Sequence, residues 1–204
     1  RHVVIKSTGY SVDHERIVLR PAGGELDAEG ATTDGRFYYV TGSHSPKREG
    51  CKRNPHSRYV IRFAVDPATG RARPDATGIP AGREETGRLW SIMQSFPALK
   101  DHVGEQTCLG MDPRGVNIEG LAVKGGRLFF GLRGPAEGET TAILGVDAEA
   151  LFTMADARPE LITIKLGEGR GVRDLHAVKD GFLILAGPND DQANRGKDWS
   201  IYLW

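Results

Sequence analysis

Short stretches in which apolar and polar residues alternate, broken by glycine-rich turns, run along most of the chain and predict half-buried strands rather than helices. Three segments, residues 27–42, 117–132 and 172–187, can be laid over one another without gaps. Each reads acidic residue, short strand, turn, then a strand of aromatic or aliphatic residues. The turns are read at Asp34-Gly35, Gly125-Gly126 and Asp180-Gly181, dipeptides that supply the positive φ angles of tight hairpins. Further strand patterns follow at residues 58–65, 141–146 and 160–166, so each hairpin has partners for a larger antiparallel sheet. The fold class predicted is all-β, a β-propeller or partial propeller of four-stranded antiparallel blades. One inserted helix is expected near residues 83–102, where Leu89, Ile92, Met93, Phe96 and Leu99 recur at helical intervals and Pro97 breaks the pattern. Residues 3–6 and 16–20 read as outer strands without their hairpin, and residues 199–204 as a last strand.

Composition narrows the setting. Twenty-seven basic residues balance 27 acidic ones, which gives no reason to expect nucleic acid as a partner. No run approaches the ~20 apolar residues of a membrane-spanning helix, so no membrane span is expected. The chain is read as a single propeller-like domain over residues 1–204, incomplete at its N-terminus because its first outer strands lack the hairpin that should precede them. Three blades fall short of the ~4–8 that close a ring, so a missing propeller segment or a second chain is expected to complete it. The two cysteines, Cys51 and Cys108, fit neither a zinc knuckle nor a redox pair. Both lie in polar, loop-like stretches, which favours a disulfide and a secreted or periplasmic protein; two unrelated buried thiols in a cytoplasmic protein are the alternative.

The motifs Asn117-Ile-Glu-Gly-Leu-Ala, Gly131-Leu-Arg-Gly-Pro, Gly171-Val-Arg-Asp-Leu, Leu185-Ala-Gly-Pro and Val40-Thr-Gly-Ser-His-Ser occur in this order along the chain. Together they resemble domain-of-unknown-function family 3616, from about Glu25 to the C-terminus. The resemblance implies a bacterial propeller-like protein with a further repeat upstream and no established activity. The Cys51 loop and Cys108 fall outside the family pattern, so the disulfide rests on this sequence alone.

In a propeller the first strand of each blade lines the central channel, which turns the repeat into a candidate site. Glu29, Glu119 and Asp174 are expected at one mouth, with His44, Arg133 and Asn189 in the loops after the second strands. Three convergent carboxylates repel one another unless protons, arginines or a cation intervene. Ca²⁺ takes such oxygen ligands, and Asp27 and Asn117 could add two more. The alternative is that the repeated acids are structural, each accepting hydrogen bonds from a neighbouring blade. Lys47 and Arg48, with Arg133 and Arg173, are candidates for holding an anion such as phosphate or carboxylate. His44 is the candidate general base beside a metal-bound water. Two functions are therefore expected: a metal-assisted hydrolase acting on an anionic ester at the channel mouth, or a non-catalytic propeller module binding a small anionic ligand or a partner protein. Phosphate loops, zinc-protease helices and dinucleotide fingerprints do not occur.

Overall fold

Hairpins closed by two-residue loops generate the architecture of this computed structural model, which describes residues 3–12, 16–20, 23–112, 114–190 and 199–204. A ribbon of β1 (Val3–Lys6) and β2 (Gly9–Val12) comes first. The first large sheet has the order β3 (Ala28–Thr33), β4 (Phe37–Gly42), β5 (Val60–Ala64), β6 (Glu84–Thr86). Helix α1 (Arg88–Ser95) leads to the second sheet, β7 (Asn117–Lys124), β8 (Arg127–Gly134), β9 (Thr140–Asp147) and β10 (Glu160–Lys165), with α2 (Ala148–Leu151) between its last two strands. The third sheet is β11 (Arg170–Val178), β12 (Gly181–Pro188) and β13 (Ser200–Leu203). All pairings are antiparallel between sequence neighbours, so the chain is all-β with three meander sheets.

The turns follow from local chemistry. Gly125 and Gly126 both have positive φ, which closes the β7–β8 hairpin. In the first hairpin Gly35 supplies the positive φ, while the Asp34 carboxylate accepts the backbone N–H groups of Arg36 and Phe37. The helix is shorter than its apolar pattern suggested, because Glu84–Thr86 joins β5 as the fourth strand and Pro97 prevents extension. Leu89 and Met93 are its buried face. At the N-terminus, residues 3–6 pair with Gly9–Val12 rather than with residues 16–20, which form no strand.

The sheets stack in sequence. Along β8, Leu128, Phe130 and Leu132 face the first sheet, where they meet Tyr39, Val60 and the α1 residues. On the opposite face Phe129, with Ile143 of β9, meets Val172, Leu175, Phe182 and Ile184 of the third sheet. The two-residue period of the strands thus puts the second sheet between the other two. Beyond the first sheet, Ile61 and Phe63 pack with Leu26 and Ala72, against Ile17 and Leu19. Beyond the third sheet lies an exposed apolar face with Leu183, Ile201 and Leu203.

A β-bulge interrupts the first strand of each of the three larger sheets at the same place, six positions before the hairpin loop. The bulged residues are Glu29, Glu119 and Arg173. The third repeat is therefore displaced by one position from the gapless alignment: its loop is Lys179-Asp180, since Val178 pairs with Gly181. Arg173, rather than Asp174, is equivalent to the two glutamates.

Candidate functional site

The three bulges bring Glu29, Glu119 and Arg173 toward one end of the sheets. A bulge re-aims a side chain out of the strict alternation, and here it turns charged groups away from the apolar layers. Arg133, at the end of β8, donates from Nη1 to Glu119 Oε1 at 2.9 Å. Arg173 Nε lies 2.5 Å from Glu119 Oε2, so both carboxylate oxygens are occupied. Arg133 further donates to the carbonyls of Pro188 and Asp190, and Arg173 Nη1 donates to Pro188 O at 3.0 Å. This buried Arg133–Glu119–Arg173 triad joins the second sheet to the third. Burial lowers the Arg173 pKa, and Glu119 opposes that shift.

Glu29 is in a different position. Its carboxyl is raised from 4.5 to about 7 by partial burial, then by repulsion from Glu119 and Asp27, with Arg133 and Arg173 pulling the other way. The residue as a whole is open to solvent, because it lines a cleft of roughly 620 Å³. Asp27, Asn117, Glu119 and Arg133 line the same cleft, as do Lys47 and Arg48. Asp27 adopts φ 53°, a left-handed backbone unusual for a non-glycine residue, and its carboxylate accepts the Ser43 hydroxyl at 2.6 Å. The Oδ1 atom of Asn117 is sealed from solvent without a hydrogen-bond partner.

The basic wall is a loop between β4 and β5. Its backbone is tied by Lys47 N–H donating to Lys52 O at 2.8 Å, and Arg53 pairs with Glu105 at 2.6 Å. Cys51 and Cys108 form a disulfide with Cα atoms 5.8 Å apart, which fastens this loop to the segment that carries Cys108 and Leu109 along the cleft. The disulfide expected from the sequence is present.

Other candidates lie elsewhere. His44 is 1% exposed and does not line the cleft. Its Nδ1 lies 3.1 Å from Gly42 O, an acceptor, so Nδ1 carries the proton and Nε2 is left as an unpartnered lone pair. Burial lowers its pKa to about 4, so it is neutral at pH 7. Asp174 is exposed on β11 and accepts the Leu175 N–H at 2.8 Å. It does not join Glu29 and Glu119 at the cleft. Asn189 instead accepts from Arg114 at 2.9 Å. Among the described residues no group of three or more His, Cys, Asp or Glu side chains is arranged to hold a metal ion. No helix among them is long and apolar enough to cross a membrane.

Sequence reasoning passed over Ser45 and Asn54, both buried and both on the cleft. Asn54 is 6% exposed, does not cap the 3₁₀ turn that follows it, and has no hydrogen-bond partner for its carboxamide among the described residues. Only the nearby Cys51 and its basic neighbours drew attention to that loop.

Residues 8–66 and 81–195 match the model of a family described as a protein of unknown function, DUF3616. The unmatched residues between them, 67–80, follow β5 and include all but the first residue of the turn at residues 66–71. No curated protein matches the chain.

Proposed function

The chain belongs to the DUF3616 family, and from the geometry of its cleft we propose that it is a propeller-type binding module that captures a small anionic ligand without turnover. Three consecutive meander sheets with stacked faces support the propeller reading, their inner strands β3, β7 and β11 carrying equivalent bulges. A further blade, from this polypeptide or a second copy, would stack on the exposed face of the third sheet and continue the ring. The disulfide supports an oxidising compartment, secreted or periplasmic.

The observation that carries the binding reading is the commitment of Glu119. With one oxygen on each of two arginines it is a clasp between sheets. His44 is buried away from the cleft and cannot reach a ligand there. Lys47 and Arg48 remain as the cationic wall of an open volume within the usual range for small-molecule sites. Calorimetric titration with small carboxylates and phosphates, followed by assays of their esters, tests this. Binding weakened at least tenfold in Lys47→Ala, with no ester hydrolysis, is expected; hydrolysis abolished by Glu29→Gln would overturn it.

One observation favours the catalytic alternative. Asn117, whose Oδ1 is buried and unpartnered, lines the cleft with Asp27 and Glu29, and these are oxygen-bearing residues of the kind that hold Ca²⁺. In that reading Glu29 would move the proton.

A further inference from the structure

We propose that the ligand of the cleft is a zwitterion, a small amino acid whose primary ammonium is held on the acidic wall and whose carboxylate is held on the basic one. This rests on the binding reading above and adds the ligand's chemical class.

The cleft is lined by side chains of both charges. Asp27 and Glu29 come from the start of the first sheet, while Lys47 comes from the disulfide-fastened loop. A simple anion drawn to Lys47 meets two carboxylates across the same volume, and a simple cation drawn to the carboxylates meets Lys47. A molecule with both charges satisfies both walls and is oriented by them.

Two neutral groups point to the same class. An ammonium group has three N–H donors and no acceptor, so it can serve Asp27 and Glu29 together. Asn54 is more than nine-tenths buried, opens on the cleft and has an unpartnered carboxamide whose NH₂ can donate to a carboxylate. Ser45, also buried there, adds a hydroxyl. A ligand lacking its amine leaves the Asp27 and Glu29 carboxylates without that donor, which lowers its affinity. Asp27 is preset for this contact by the Ser43 hydroxyl on its Oδ2.

The test is calorimetric titration of the full chain at pH 7 with ω-amino acids from glycine to 6-aminohexanoate, each beside the carboxylate lacking the amine and the amine lacking the carboxylate, and with CaCl₂. At least one amino acid is expected to bind tenfold or more tightly than either matched analogue. Glu29→Gln and Asp27→Asn should move that ratio toward one. Asn54→Ala, which lies outside the sheets, gives a second readout through weaker binding of the same amino acid should the first two variants fold poorly. Equal binding of amino acid and plain carboxylate would overturn the zwitterion and leave the anion-binding module standing. Binding of none of them would overturn both readings. Calcium binding that the amino acids do not compete with would also overturn the zwitterion, by giving the acidic wall to a metal.

Discussion

Glu119 is held between two guanidinium groups, and taking its charge away leaves Arg133 and Arg173 facing one another with little access to water. Breaking a buried ion pair from one side costs about 3–5 kcal/mol, so Glu119→Gln should lose stability on that scale in urea unfolding, equally with and without calcium. Glu29 gives a prediction in pH. Its folded pKa of about 7 stands above the unfolded 4.5, so folding favours its protonated form. The contribution is fully present below about pH 4.5 and is lost as pH rises through 7, and Glu29→Gln should abolish that part of the fall in melting temperature. Buried His44 acts in the other direction: with a folded pKa of about 4 below the unfolded 6.5, its contribution is lost as pH falls through 4. The difference between wild type and Glu29→Gln isolates the carboxyl. The sequence made Glu29 and Glu119 legible because their repeats align without gaps and carry the same Gly after the acid. It misled at the third repeat because Asp180-Gly181 is the stronger turn signal. Gly181 is needed for another reason: a Cβ there would collide with the Trp204 carbonyl, whose backbone pairs with Phe182.

Close approach of the neighbouring first strands β3, β7 and β11 sets the next scale. A Cβ on Gly30 would lie 2.7 Å from Leu121 Cβ, and one on Gly120 would lie 2.9 Å from Leu175 Cβ and 3.1 Å from Leu175 N. At both sites the glycine admits the next strand. In β11 the equivalent position is Asp174, exposed because no described strand packs there. Gly120→Ala should therefore cost about 1–3 kcal/mol through overpacking, whereas Asp174→Ala should stay within about 0.5 kcal/mol, both read from chemical denaturation. The disulfide closes a loop between residues 57 positions apart, which the chain-entropy account values at about 4 kcal/mol. Replacing both cysteines by serine should cost about 2–4 kcal/mol. It should also weaken ligand capture, because the loop bearing Lys47 loses its tether. Strand content, hairpins and the helix were readable from periodicity. The fourth strand β6 was not, since three residues are too few to establish an alternation and they abut a helical pattern.

The whole molecule is a stack in which the second sheet is covered on both faces, the first is covered outside by Ile17 and Leu19, and the third is open. Ile201 and Leu203 are each 73% exposed on that open side. The stacking order explains why the site was only partly legible: Glu119 and Arg173 meet across two sheets, a pairing that depends on how the sheets pack rather than on any spacing along the chain. The cleft depends on the same packing, joining the entry to the first sheet, the disulfide-bound loop and the start of the second. A ligand that binds only this assembled form raises the unfolding temperature, so thermal unfolding of chelator-treated protein reports directly on it. The melting temperature should rise with small anionic and zwitterionic ligands and stay unchanged on adding Ca²⁺. A rise with Ca²⁺ and none with those ligands would contradict the account, returning Asp27, Glu29 and Asn117 to the role of metal ligands.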